Sequence, residues 1–112
     1  MKAYTNIDQS KILAEILPIE SADMCYPYNR HLNEMYGDIP YVMGYKKFNK
    51  DTDIPCWSLA ALLDILSNGN MLVKTTDGEY YCLAEDVMTK HYNNPVDACV
   101  YMIFKFKEKN LI

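Results

Sequence analysis

Three stretches of the chain have patterns of hydrophobic and polar positions that predict helices, and in the first, which ends at Pro18, the hydrophobic residues recur with a helical period. Thr5 stands where it can cap a helix, and the carboxylate of Asp8 falls near the positive helix end. The hydrophobic stripe consists of Ile12, Leu13, Ile16 and Leu17. This pattern predicts an amphipathic first helix.

The second stretch is hydrophobic on almost every face. Its interior is interrupted only by Ser58 and Asp64. Pro55 suits the first position of a helix, where its missing N–H costs nothing, and Gly69 suits the C-terminal end. Because a helix that is hydrophobic all round is normally buried, we expect a helix from Pro55 to Ser67 at the centre of the core.

The third stretch begins with a strong start signal for a helix. Asn94 is the expected cap, Pro95 takes the first position and Asp97 complements the helix dipole. The predicted buried stripe is Val96, Cys99, Val100 and Ile103. Tyr101, Phe104 and Phe106 widen the hydrophobic arc, which could pack on a sheet, on the second helix or on another copy of the chain.

Between the last two helices, Asp77-Gly78 separates two strand-like runs, Met71–Thr76 and Glu79–Ala84. This pattern predicts a hairpin with a two-residue type I′ turn. The expected cross-strand pairs are Val73 with Cys82, Thr75 with Tyr80, Leu72 with Leu83, and Lys74 with Tyr81. The segment Tyr41–Tyr45 has the composition of a third strand. The predicted fold is α+β, with a small antiparallel sheet packed on three helices.

Length and charge narrow the range of functions. The chain has 112 residues, which suits a single domain spanning 1–112, and a net charge of −4. An acidic surface repels phosphate backbones, so we expect no nucleic-acid binding. The chain shows no signal-peptide core and no run of membrane-spanning length, which favours a cytoplasmic protein without a membrane partner.

Five of the ten tyrosines fall in an irregular segment, residues 19–53. They are Tyr26, Tyr28, Tyr36, Tyr41 and Tyr45. One interpretation is a protein-binding surface with acidic residues on its rim, because tyrosine is enriched at interfaces. The other is that the rings close over the core of a domain with few phenylalanines.

Thiols and imidazoles are the remaining candidates for chemistry. The cysteines are Cys25, Cys56, Cys82 and Cys99, and no two of them form a C-x-x-C pair. In the cytoplasm we expect them to be reduced, and their spacing predicts no metal site. The scattered glycines form no phosphate-binding motif, so no cofactor is expected. A small enzyme using Cys25 or Cys56 with His31 or His91 is the alternative function.

Three segments together resemble a known family. They run from Thr5 to Met24, from Asp53 to Leu63, and from Asn94 to Leu111. The chain is similar there to small uncharacterised proteins of gut Bacteroides species and of their phages and mobile elements. The resemblance covers about half of the chain and implies an accessory or interaction protein rather than a metabolic enzyme. We therefore expect a non-enzymatic protein that binds an unidentified protein through the tyrosines, or that forms a homodimer through the third helix.

Overall fold

The computed structural model describes residues 2–27, 34–35, 37, 39–43, 48–66 and 69–112. These residues form an α+β fold with three α-helices and two three-stranded antiparallel sheets, which confirms the predicted class. The helices are α1 (Ile7–Ile16), α2 (Leu59–Ile65) and α3 (Pro95–Glu108). The strands are β1 (Met24–Tyr26), β2 (Tyr41–Val42), β3 (Ile54–Cys56), β4 (Asn70–Lys74), β5 (Tyr80–Ala84) and β6 (Val87–Met88). A 3₁₀ turn, Ile19–Ser21, follows α1.

Helix α1 begins one residue later than predicted. Asn6, not Thr5, is the cap: its side chain accepts a hydrogen bond from the backbone N–H of Gln9 at 2.8 Å. The Gln9 side chain accepts in turn from the Asn6 N–H at 3.1 Å, which completes a capping box. Thr5 is buried, and its hydroxyl accepts from the backbone N–H of Trp57. Thr5 therefore joins α1 to the core instead of capping it.

The hydrophobic stripe of α1 is narrower than its sequence pattern indicates. Leu13 and Leu17 are buried, whereas Ile12 is 48 % exposed. Ile16 is half-buried and packs at the edge of the core.

The second predicted helix is divided in two. Its first residues form strand β3, in which Pro55 lies opposite Cys25. Helix α2 starts only after Ser58, whose hydroxyl accepts from the backbone N–H of Ala61 at 3.2 Å. Serine is a strong N-cap, and β3 lies at the end of the strand order, where proline is tolerated. The predicted helix start at Pro55 is therefore wrong.

Helix α2 is not enclosed on all sides. Leu62 and Leu66 are buried, but Leu63 is 42 % exposed and Asp64 faces solvent. The fully buried Trp57 belongs to the connection between β3 and α2. The expectation of a wholly buried central helix is thus wrong. The indole of Trp57 does fill the core, as expected, but it does so from outside the helix.

The first sheet has the strand order β2-β1-β3. Cys25 of β1 lies opposite Tyr41 of β2 on one side and opposite Pro55 of β3 on the other. Helix α1 packs against β3. Of the predicted strand Tyr41–Tyr45, the structure shows Tyr41–Val42 as a strand and Met43 as a turn residue, while Gly44 and Tyr45 lie outside the described residues. This strand belongs to the first sheet and not, as predicted, to the sheet of the hairpin.

The second sheet has the order β4-β5-β6, so the third strand beside the hairpin is β6. The hairpin turn closes with the Gly78 N–H donating to the carbonyl of Thr75 at 3.1 Å, and the Thr75 N–H donating to the carbonyl of Glu79 at 2.8 Å. Gly78 has a φ of +83°, in the left-handed region. This is a three-residue loop with a glycine bulge, so the predicted two-residue type I′ turn is wrong.

The extra loop residue shifts the register by one position. Leu72 lies opposite Cys82 and Val73 lies opposite Tyr81. A shift of one residue moves all side chains of one strand to the opposite face relative to the side chains of its partner strand. The predicted pairing of Val73 with Cys82 is therefore wrong.

Helix α3 follows its prediction closely. Asn94 accepts from the backbone N–H of Asp97 at 2.8 Å, and Pro95 occupies the first turn. All four predicted stripe residues are completely buried, at Val96, Cys99, Val100 and Ile103. The helix packs against α2 and against β5. No helix among the described residues combines the length and hydrophobicity that crossing a membrane requires.

Candidate functional site

The β4-β5-β6 sheet presents hydrophobic side chains on both of its faces. Successive residues of a strand point to opposite sides, so the register assigns each side chain to one face. The inner face packs on the core beneath α3 through Leu72, Tyr80, Cys82, Ala84 and Val87. The opposite face, which we call the outer sheet face, consists of Met71, Val73, Tyr81, Leu83 and Met88.

The outer sheet face is built from two rows across the strands. Leu83 of the central strand lies between Met71 of β4 and Met88 of β6. In the next row Tyr81 lies opposite Val73, and its ring stacks on the imidazole of His91 with centroids 4.8 Å apart and planes 12° apart. Met71 is 54 % exposed and Met88 is 55 % exposed.

This arrangement departs from the usual pattern of an antiparallel sheet. Such sheets commonly bury one face and carry polar residues on the other. Among the described residues, the hydrophobic core and the side chains packed against it include none of the five residues of the outer sheet face. Methionine is flexible and polarisable, and it is frequent on surfaces that bind partners. The other three residues of this face, Val73, Tyr81 and Leu83, are half-buried. The outer sheet face, with Met71 and Met88 exposed, is therefore a candidate interaction site.

Carboxylates flank the outer sheet face at both ends. The β5–β6 turn contains Glu85 and Asp86, while the hairpin turn at the opposite end of β5 contains Asp77 and Glu79. All four residues are exposed. Lys90, which follows β6, is exposed, and the Nδ1 atom of His91 lies 3.7 Å from Glu79 Oε1. The surroundings of the patch are therefore mainly acidic.

Lysine 74 does not offset this charge on the outer side. It pairs with Tyr80 of the inner face, and its Nζ lies 5.9 Å from the centroid of that ring. The adjoining cavity, of about 400 Å³, is lined by Lys2, Lys74, Gly78, Tyr80, Asn93 and Asn94. It lies beside a polar network in which Lys2 Nζ contacts Asp97 at 2.8 Å and Gln9 at 2.7 Å.

That network joins the N-terminus to α3. Gln9 Nε2 also donates to Asp97, at 2.8 Å. Burial opposes ionisation of Asp97, but the hydrogen bonds from Lys2, Gln9 and Asn94 outweigh it and hold the pKa of this carboxyl below its ordinary value. Because the Lys2 ammonium is already paired, we regard this network as structural.

Of the five tyrosines predicted to bind a partner, the structure describes two, and it places them differently. Tyr26 is 6 % exposed, and its hydroxyl donates to the carbonyl oxygen of Thr5 at 2.6 Å. Tyr26 is thus a core residue, as the second interpretation of the tyrosines expects. Tyr41 is 43 % exposed, and its neighbour Val42 is 53 % exposed. Tyr28, Tyr36 and Tyr45 lie outside the described residues.

Cysteines 25 and 56, the candidate nucleophiles, are both completely buried. The Cys56 thiol donates to the Thr5 carbonyl at 3.4 Å and accepts from the Thr5 hydroxyl at 3.5 Å. Burial raises the pKa of Cys56. A raised pKa keeps a thiol protonated at neutral pH, whereas a nucleophile needs the thiolate.

Cysteines 82 and 99 also lie in the core, with their sulfur atoms 3.9 Å apart between β5 and α3. The hydrogen bond between these two thiols and the burial of the site raise the pKa of Cys99. All four cysteines are therefore buried thiols.

The histidines are not assembled with these thiols into a described site. His91 contacts Glu79 and Tyr81, and its side chain is 45 % exposed. His31 lies outside the described residues. Within the part of the chain that the structure describes, no group of three or more His, Cys, Asp or Glu residues is placed to hold a metal ion.

A comparison of the chain with protein-family models, with curated proteins and with solved structures found no match. What the protein does must therefore be inferred from its own surfaces. Among the described residues we take the outer sheet face as the candidate site, because it is hydrophobic and exposes Met71 and Met88. Sequence reasoning missed it because the wrong register mixes its residues with those of the inner face.

Proposed function

We propose that the protein is a non-enzymatic interaction module that binds another protein through the outer sheet face. One observation carries this proposal: both faces of the β4-β5-β6 sheet are hydrophobic, and among the residues that the structure describes only the inner face packs on the core. Leaving Met71 and Met88 in water forgoes the favourable transfer of their side chains, a gain of about 1.5–3 kcal/mol for each one fully buried. A partner that covers them recovers part of that gain.

The composition of the patch also supports recognition of a protein. Interfaces are enriched in tyrosine and methionine at their centres, with charged residues at the rim. Here Tyr81, Leu83 and the methionines lie in the middle, and the charged turns lie at the two ends. Tyr41 and Val42 of the other sheet are also exposed, but as successive residues of β2 they point to opposite faces.

The cysteine-based enzyme has weaker support. Its candidate thiols are buried, and the one described imidazole is stacked on Tyr81. A cytoplasmic location suits a chain whose core holds two close thiols, because that compartment keeps thiols reduced. An accessory role in a phage or mobile element rests on the sequence resemblance alone.

The proposal is tested by site-specific photo-crosslinking in cells of the source organism. Met88 is replaced by the photo-crosslinking amino acid p-benzoylphenylalanine, and the matched control carries the same replacement at Leu63, an exposed residue of α2. We expect a discrete crosslinked protein from position 88, absent from position 63, that disappears when Met71→Glu is added. Identical crosslinking from both positions, or none from position 88, would contradict the proposal.

A further inference from the structure

The size of the outer sheet face determines what can cover it. With strands about 4.8 Å apart and residues rising about 3.4 Å each, three strands of at most five residues span a flat area of roughly 250 Å². Helix α3 packs against the inner face of the same sheet, along β4 and β5. By the same geometry the outer face has the width of one helix, which is about 10 Å in diameter with its side chains.

A second copy of the chain fits this surface poorly. A stable dimer interface buries about 800 Å² of accessible surface on each partner, so a second copy would have to make contacts well beyond the patch, across its acidic ends. The charges add a further obstacle, because acidic turns lie at both ends of β5. In any antiparallel or parallel pairing of two such faces, an acidic turn of one copy meets an acidic turn of the other. Like charges placed opposite each other across an interface disfavour the pairing.

The same charges favour a positively charged partner. Glu85 and Asp86 flank one end of the patch, Asp77 and Glu79 flank the other, and the chain as a whole carries a net charge of −4. The distance between the two turns is the length of β5, five residues or roughly 17 Å. A helix rising about 1.5 Å per residue covers that distance in about 11 residues.

We propose that the outer sheet face receives a basic amphipathic helix from a partner protein. The hydrophobic stripe of the helix covers Met71, Leu83 and Met88, and lysine or arginine residues at its two ends meet the acidic turns. This inference rests on the proposed function and specifies the partner's chemistry. A stripe at i, i+3, i+4 and i+7 is the pattern by which such helices dock into hydrophobic grooves.

Synthetic peptides of about 14 residues test the inference directly. The basic peptide carries leucines at i, i+3, i+4 and i+7 and two lysines at each end. One control keeps the leucines and replaces the lysines by glutamates, and the other scrambles the order of the basic peptide. Binding is measured by titration of the ¹⁵N-labelled protein in NMR spectra, at low and at physiological salt.

We expect the basic peptide to shift amide signals of β4, β5 and β6, and to bind on the order of tenfold more tightly than the acidic peptide. Its affinity should fall as salt is added, because the end charges are solvent-exposed. Met71→Ser/Met88→Ser, which removes the hydrophobic side chains without changing the charge, should abolish binding, whereas Leu63→Ser should not change it. Glu85→Gln/Asp86→Asn should weaken binding and reduce its salt dependence.

Different failures point to different errors. Equal binding of the basic and acidic peptides would overturn the proposed charge of the partner. If no peptide binds but position 88 still crosslinks to a protein, the partner is not a basic amphipathic helix, and the proposed function is still supported. A dimer in sedimentation that Met71→Glu dissolves would assign the face to a second copy of the chain and overturn the inference.

Discussion

The sulfur atom of Cys82 on β5 lies 3.9 Å from that of Cys99 on α3, at the centre of the contact between the second sheet and the longest described helix. Both side chains are at most 1 % exposed. Neither thiol can therefore meet a reagent unless the sheet and the helix separate.

We expect all four thiols of the native protein to react slowly with an aromatic disulfide reagent such as 5,5′-dithiobis(2-nitrobenzoate). Burial excludes the reagent, and the raised pKa values of Cys56 and Cys99 keep those thiols protonated. The protein in concentrated urea is the control and should release four equivalents of chromophore quickly. Fast reaction of one native thiol, traced to Cys25 or Cys56, would instead favour the cysteine-based enzyme.

Neighbouring leucines on α2 test whether that helix is enclosed. Leu62 is completely buried and Leu63 is 42 % exposed. Leu62→Ala should lower the free energy of unfolding by about 2–5 kcal/mol, because it leaves a cavity. Leu63→Ala should cost less than about 1 kcal/mol, since its site can be filled by water. Urea denaturation measures both losses of unfolding free energy. Equal losses would show that α2 is buried on all sides, as the sequence predicts.

The comparison of α2 with α3 shows which signals the sequence carries. For α3 the cap, the first-turn proline and the stripe all lie within ten residues, and each is confirmed. For α2 the decisive partner is distant, because Ile54–Cys56 pairs with β1 about thirty residues earlier. Local propensity therefore favours a helix there, and the tertiary pairing makes it a strand.

The candidate site was hidden by a single residue of the hairpin turn. The hairpin itself and both of its strands are predictable from Asp77-Gly78, but the turn takes one residue more, since Thr75 and Gly78 close it. With the predicted register Leu72 pairs with Leu83, and each face of the hairpin then combines residues that the structure places on opposite faces. In addition, β6 has two residues and shows no readable period, so the row Met71, Leu83, Met88 could not be anticipated.

Gly78 provides a direct test of that turn. An added Cβ would meet no atom within 4 Å, so the cost of Gly78→Ala comes from the φ of +83° and not from a clash. We expect a loss of about 1 kcal/mol in unfolding free energy. Gly78→Asn is the matched control, since asparagine tolerates the left-handed region better, and it should cost less. A Gly78→Ala variant as stable as the native protein would show that the turn is not built this way.

Acid should weaken the contact between the N-terminus and α3. The pKa of Asp97 is held below its ordinary value, so its ionised form stabilises the folded state. This contribution is complete above the unfolded pKa, about 3.9, and is lost as the pH falls through the lower pKa of the folded protein. Asp97→Asn should therefore be less stable than the native protein at neutral pH, and the difference should shrink in strong acid.

Urea midpoints at pH 7 and near pH 2 measure that difference. Lys2→Met removes the ammonium that contacts Asp97 at 2.8 Å and should reproduce part of the effect. In the double variant Lys2→Met/Asp97→Asn the losses should not add, because both changes remove the same ion pair. A difference that stays constant with pH would assign the stabilisation to another part of the network.

The two described tyrosines of the irregular segment differ in what their hydroxyls do. Tyr26 donates to the carbonyl oxygen of Thr5 at 2.6 Å inside the core, whereas Tyr41 is 43 % exposed. Tyr26→Phe should cost about 1 kcal/mol, because the Thr5 carbonyl keeps a second, weaker donor in the Cys56 thiol at 3.4 Å. Tyr41→Phe should leave the free energy of unfolding unchanged. Thermal and urea denaturation of both variants measure these differences. A destabilised Tyr41→Phe variant would show that the Tyr41 hydroxyl makes a stabilising contact. A Tyr26→Phe variant as stable as the native protein would show that the Tyr26 hydroxyl contributes little to holding β1 against the residues before α1.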